Sequence, residues 1–379
     1  MSNAFISTQE IARALLPRLR DNLVFPNLVR RDFSNDIVEG KGATVLAELP
    51  YYFEAKDFTD GNNITIQDIK QKSVPVTLDK FKTVDVNWSS FEGAVNITDS
   101  KIQKILDGMA AALAEAINAD GCALYKDVPY VTGTPGTTPD SLEDFANARK
   151  VLNANKAPMD SRRAVWDVDA DAKLTQIGNL TKVSEAGSPD ALREGEIGRV
   201  YGLDNYMTQG IKNHTQGTAI SGNKTIAVAA AASAGATTIS VDSGSSAGTL
   251  KAGDVIKIGN YAYTVAEDVA SIGTTAADVK LVQALKADVA DNAAITFPTY
   301  VSGKTGYAAN LAFQESAFAF VTRPLATPSS ADSYTVSYNG LSIRVTRAYN
   351  INTKRETLSA DIIYGYKTCI PELACVICG

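Results

Sequence analysis

The sequence predicts an α+β protein with a discontinuous parent domain, interrupted by a small inserted β-barrel, and three observations lead there. Helix-like and strand-like periodicities follow one another without the regular alternation of a parallel βαβ fold. Between residues 217 and 299 the composition shifts to Ala, Ser, Thr, Gly and Val, then reverts. The 379 residues also suffice for more than one core, because domains usually run to roughly 100–200 residues.

Residues 1–40 read as an N-terminal arm. Ser7-Thr8-Gln9-Glu10 has the form of a capping box, and Ile11, Leu15, Leu16 and Leu19 then fall on one helical face. Pro17 lacks an amide donor and should limit or kink that helix. Glu10 and Asp21 belong to its solvated side. Residues 41–86 read as an extended two-stranded loop: Ala43 to Leu49 leads to Pro50, and Asp60-Gly61-Asn62-Asn63 separates two polar, alternating stretches that end in Val74-Pro75-Val76. A ribbon carrying Glu54, Lys56, Asp57, Asp68, Lys70 and Lys72 has little to bury, so it needs a neighbour to lie on.

Residues 87–150, which follow the string Val84-Asp85-Val86-Asn87-Trp88, contain one long helix. Thr98-Asp99-Ser100 offers its N-cap, and Ile102, Ile105, Leu106, Met109, Leu113 and Ile117 recur at helical spacing towards Tyr125. Asp140 or Ser141 caps a further helix through Leu142, Phe145 and Leu152, closed by Asn153-Ala154-Asn155. Residues 151–216 and 300–379 are expected to form one discontinuous part. It holds a buried strand Arg163-Ala164-Val165-Trp166, a short helix near 170–177, an amphipathic helix from Leu311 to Val321, and strands near 334–336 and 341–346. Inside 217–299, Thr238–Val241, Asp254–Ile258, Tyr261–Val265 and Val279–Val282 are short strands, with Gly259-Asn260 as a tight turn, and such spacing predicts a small barrel. The Ala-rich stretch 227–235 reads as a flexible connection.

No enzyme constellation emerges. The single histidine, His214, lies in the polar string Lys212-Asn213-His214-Thr215 and reads as a loop residue, leaving a nucleophile without a base elsewhere. Gly40-Lys41-Gly42 lacks the rest of a phosphate loop. Asp167, Asp169 and Asp171 open like a calcium loop, but Ala172 stands at the turn position and Gly178 at the closing one. Cys369, Cys375 and Cys378 lack a fourth ligand and paired spacing, and read as free thiols rather than a zinc site or a disulfide framework. Catalytic residues, metals and cofactors are therefore all expected to be none. The net charge of −6 (36 basic, 42 acidic) without a basic block excludes a tight nucleic-acid grip. No window has the roughly 18 apolar residues of a membrane span, and Met1 to Gln9 has no secretory pattern, so folding in the cytosol and no membrane partner are expected.

In this order of parts the chain resembles the tailed-phage and herpesvirus capsid fold, and its insertion resembles that of the coat proteins of the short-tailed Salmonella phage type. The strings that carry the likeness are Leu23-Val24-Phe25 through Asn27-Leu28-Val29-Arg30-Arg31-Asp32, Gly195 to Asp204, Leu250 to Val265 with Ala252-Gly253-Asp254, and Asn310-Leu311-Ala312-Phe313 to Arg323-Pro324-Leu325. Their order, over nearly the whole chain, is the signal. The resemblance implies an N-arm, an extended ribbon, a spine helix, peripheral and axial domains and an inserted barrel. It implies a major capsid protein of the virion, assembled in the bacterial cytoplasm as pentamers and hexamers with scaffolding and portal proteins, in weak non-specific contact with packaged double-stranded DNA and with room for a decoration protein. Glu10 and Asp21 then become candidate scaffold contacts. Two rival classes remain: an encapsulin-like cellular shell, which should lack the insertion, and an enzyme or ligand-binding protein with a β-rich module, which should stay a monomer or small oligomer.

Overall fold

The computed structural model describes residues 8–31, 44–48, 73–89, 99–182, 193–222, 224–243, 248–298 and 304–379, with isolated positions 53, 55, 57 and 66. The described residues divide into two compact units, one within 1–16, 31–102 and 318–369, the other within 17–30, 103–317 and 370–379.

The first unit is built on antiparallel pairing. Strand Arg355–Thr368 is its centre: Phe318–Arg323 and Leu341–Asn350 pair with it, Asp332–Tyr338 pairs with Leu341–Asn350, and Lys80–Ser89 lies in register with 355–364. One face carries the apolar set Ile343, Val345, Leu358, Ala360, Ile362 and Tyr364, all buried. Among the alternate positions Ser342, Thr346, Thr357 and Ser359 are polar, Ile363 packs on the base of the ribbon, and Arg344 donates from Nε and Nη2 to Asp361 at 3.0 and 2.6 Å. The strands read near 334–336 and 341–346 are present and longer. The expected grouping of 300–379 with 151–216 does not hold for 318–369. Ten backbone pairs with Lys80–Ser89 decide the matter, since a ladder is set by register and not by similarity of composition.

The base of the ribbon belongs to the same unit. Thr44–Glu48 pairs antiparallel with Ser73–Thr77, from Thr44 opposite Thr77 to Glu48 opposite Ser73. Val45, Ala47, Val76 and Leu78 are buried together with Ala319 and Val321, so this stretch rests on strand Phe318–Arg323. The reading of 49–72 as the ribbon's outer part falls outside the described residues apart from the isolated positions, as does Ser7 of the capping box and Thr98 of the N-cap.

The second unit contains a mixed sheet in the order 131–132, 374–378, 306–314, 162–166, 203–207, 199–200, with 213–215 also pairing 306–308. Helices Leu142–Ala154 and Val168–Leu174 bury Phe145, Ala148, Leu152, Ala170 and Leu174 against Trp166, Ala312 and Ile377. Ser141 caps the first of these, with Asp144 Oδ2 accepting from the Ser141 amide and hydroxyl at 3.2 Å each. The long helix runs Asp99–Cys122, about 36 Å at 1.5 Å per residue, and tightens into a 3₁₀ turn at Ala123–Asp127.

Leu311 to Val321 is not a helix. Gly306–Gln314 is a strand buried at every position after the first, a short 3₁₀ turn follows at Glu315–Ala317, and Phe318–Arg323 is a second strand. A strand covered on both faces shows an unbroken apolar run, which helical periodicity also accommodates; only the neighbours on both sides, 374–378 and 162–166, distinguish the two.

Residues 217–298 form their own core of Ile226, Val228, Ile239, Val241, Ile256, Tyr263, Ile272, Val279 and others. Six strands run in the order 261–264, 255–258, 294–296, 226–228, 238–242, 277–280, and 248–250 pairs with 269–272. The Gly259-Asn260 turn is as read, with Ile258 opposite Tyr261 and Gly259 at φ +58°. The stretch 227–235 is not a bare connection: Val228 is in the core, Ala229 N donates to Ser240 O, and Ala232 pairs with Val289. Low complexity hid a strand because Ala and Val suffice where neighbours supply the bulk.

Candidate functional site: arm, elbow and neck

The arm helix spans Thr8–Asn22, continuing through Pro17. Thr8, Ile11, Ala12, Leu15, Leu16 and Leu19 are buried, while Gln9, Glu10, Arg13, Pro17, Arg20 and Asp21 are exposed. Glu10 and Asp21 are eleven residues apart, which at 100° per residue places them within about 20° of one another and roughly 16 Å apart along the axis. They share the outer face without touching. Asp21 accepts from its neighbour Arg20 at 3.0 Å in a largely exposed pair. At the helix start Thr8 Oγ1 donates to Asp332, and Gln9 Nε2 donates to the Tyr334 hydroxyl at 3.3 Å. Further along, Arg18 pairs with Asp107 at 2.5 Å.

Where the arm ends, one buried side chain of the long helix organises the turn. Asn118 Oδ1 accepts from the amides of Val24 and Phe25 at 3.0 and 3.1 Å, and its Nδ2 donates to Asn22 O at 3.2 Å. The amides satisfied are those at the start of the short helix Phe25–Leu28, orphaned by geometry. Phe25 then stacks at 5.5 Å on Phe313. The sequence reading missed Asn118. The available signal was a polar residue next to Ile117 on the apolar stripe of the long helix.

The neck of the 217–298 segment is a three-rung ladder, Asn213–Thr215 against Gly306–Ala308. His214 sits in it, 3% exposed, and not in a polar loop. Strand alternation turns it inward between two exposed neighbours, Asn213 and Thr215. Its Nε2 lies 2.9 Å from Asp254 Oδ1 and its Nδ1 lies 3.0 Å from the Tyr125 hydroxyl. Asp254, fully buried, also accepts from the amides of Gly217 and Lys251 at 3.1 and 2.6 Å. Burial first, and the charge of Asp254 second, push the Tyr125 phenol up to about 12.

The remaining sequence candidates resolve into packing. Asp167 caps helix Val168–Leu174 by accepting from Ala170 N at 3.1 Å; burial and then Asp167 raise the carboxyl of Asp171. Cys375 and Cys378 lie in the buried strand Ala374–Cys378, and Cys122 closes the long helix. All are free thiols, and burial pushes Cys122 and Cys375 up to about 12 and Cys378 well above its ordinary value. Among the described residues no group of His, Cys, Asp and Glu is arranged to hold a metal, and no helix is long and apolar enough to cross a membrane.

Residues 264–378 match the family model of the P22 coat protein, gene protein 5. Among solved structures, one from Mycobacterium phage Che8 is 16% identical at a TM-score of 0.53, with 94% of this chain and 90% of that chain covered. The capsid of cyanophage P-SCSP1u is 12% identical at 0.46 (89% and 84% covered), and the mature capsid of bacteriophage PhiM1 is 9% identical at 0.46 (90% and 83%). No curated protein matches the chain.

Proposed function

We infer that this chain, whose residues 264–378 match the P22 coat-protein family model, is a tailed-phage major capsid protein that builds an icosahedral shell from pentamers and hexamers around double-stranded DNA. It is a structural component of the virion and not an enzyme. The observation that carries the finer reading is the match over 264–378, which runs from inside the inserted segment to the last strand, joined to a mixed α+β capsid fold over most of the chain.

In this reading the ribbon of residues 41–86 reaches across a neighbouring subunit, because its charged sequence offers few apolar side chains to bury. Residues 87–150 with the long helix are read as the peripheral part, the mixed sheet around Gly306–Gln314 belongs to the axial part, and 217–299 is an inserted barrel. Barrel closure is supported by bonds between the two end strands of its sheet: Val282 N donates to Thr264 O and Ala266 N to Lys280 O, both at 2.9 Å. Glu10 and Asp21, on one exposed helical face, are read as contacts for a scaffolding protein, with portal and decoration proteins as further partners. A net charge of −6 suits a wall that holds DNA without gripping it.

The test is size-exclusion chromatography with negative-stain microscopy of the purified chain, alone and co-expressed with a scaffolding protein. Closed shells or capsomer-sized rings are expected. A chain that stays monomeric in both conditions refutes the reading.

A further inference from the structure

The 217–298 segment joins the rest of its unit through a neck of three residue pairs, Asn213–Thr215 against Gly306–Ala308. A two-stranded connection of that length is free to twist and bend, since isolated two-stranded ribbons are marginal. Any fixed orientation of the segment therefore has to come from contacts it makes back onto the unit.

Asp254 makes such a contact. It lies 37 residues beyond Gly217, inside the segment, yet its carboxylate returns to the neck and binds both His214 Nε2 and the Gly217 amide. Tyr125, in the 3₁₀ turn that ends the long helix, approaches His214 from the other side. The hydrogen positions follow from the chemistry. A carboxylate only accepts, so Nε2 carries a proton, and in the neutral imidazole Nδ1 is then the acceptor to which the phenol donates. One imidazole tautomer thus satisfies every partner. Gly253 adds a backbone condition: its φ is +99°, and a Cβ there would lie 2.9 Å from Lys126 Cγ and 3.2 Å from His214 Cε1. Two outer ties fall on the same short stretch of chain, Gln283 Nε2 to Asp127 O at 2.6 Å and Lys286 Nζ to Glu372 at 3.1 Å. Both are partly solvated, whereas His214 and Asp254 are 3% and 0% exposed. A buried carboxylate holds its position only with its partners in place, which makes the inner contact the one that is either closed or broken.

We propose that Asp254, His214 and Tyr125 form a latch that fixes the orientation of the 217–298 segment on the end of the long helix, so that the segment enters the shell already oriented. The second half of this statement rests on the capsid reading. These are positioning residues: buried from solvent, they face no substrate.

Because the chain has a single histidine, carbethoxylation by diethyl pyrocarbonate, located by peptide mass spectrometry and read as the ultraviolet absorbance of the modified imidazole reversed by hydroxylamine, isolates the reaction of His214 from that of lysines and other nucleophiles. In the native full-length subunit it should be acylated at least tenfold more slowly than in the urea-unfolded chain. Asp254→Asn should raise that rate at least tenfold and speed hydrogen exchange in 213–217 and 306–308, with the global unfolding midpoint shifted little. Tyr125→Phe, which removes one hydroxyl, should do the same to a smaller, several-fold extent, and decides the matter if Asp254→Asn fails to fold. His214 reacting natively at the unfolded rate, or Tyr125→Phe leaving both acylation and neck exchange unchanged, overturns the latch. Shell yield is read separately: wild-type protein that forms no shells refutes the capsid reading, while acylation still decides the latch.

Discussion

Single side chains control the joints of this chain. Asn118 is the clearest case, since replacing it by Ala strands the amides of Val24 and Phe25 in a buried turn. Two lost acceptor bonds, one to a buried donor, should cost about 2 kcal/mol, measurable as a lower urea midpoint with unchanged slope. The thiols make a second expectation. Cys122 and Cys375 are held up near 12 by burial, while Cys369 is only partly buried. A thiol whose folded value lies above its unfolded value of about 9 stabilises the fold fully below that pH and loses the contribution as pH rises towards 12. Urea midpoints should therefore fall from pH 9 upward, less so in Cys122→Ala/Cys375→Ala, and Ellman's reagent at pH 8 should label one thiol quickly, at Cys369. The reading of the cysteines as free thiols agrees with the structure, in which all four are unbridged. The reading of His214 as a loop residue does not, because polar neighbours imitate a loop when a strand has one face in solvent.

Elements follow local rules until both of their faces are covered. The helix Leu142–Ala154 could be read from its cap and spacing, and the turn at Gly259-Asn260 from its dipeptide, because each signal acts within a few residues. Gly306–Gln314 could not, since both faces and both edges are occupied by segments far away in sequence. Phe313→Ala there should cost about 3–5 kcal/mol, removing the ring that meets Phe25, with loss of soluble subunit as the readout. The base of the ribbon gives another test. A Cβ at Gly365 would stand 2.1 Å from Thr77 O, so Gly365→Ala should displace Ser73–Thr77 from the sheet and raise hydrogen exchange in 44–48 and 73–77.

At the scale of the whole molecule, charge and connectivity carry the function. With a net charge of −6 and no basic block, the chain should show no measurable shift of a labelled 30-base-pair duplex in fluorescence anisotropy at about 150 mM salt; tight binding would contradict the proposed role as a wall that holds DNA without gripping it. Residues 217–298, where the composition changes, pack around a core of their own. Composition could not show that 318–369 joins residues 80–89, because strand partners are chosen by register across more than two hundred residues. The sequence by itself determined the helices with strong caps and stripes and the short hairpin at Gly259-Asn260, all of which depend on side chains close together in the chain. Only the tertiary structure decided the strands at 306–323, the elbow at Asn118 and the closure of Asp254 on His214, because each arises when distant segments supply the burial or the hydrogen-bond partner that the local chain lacks.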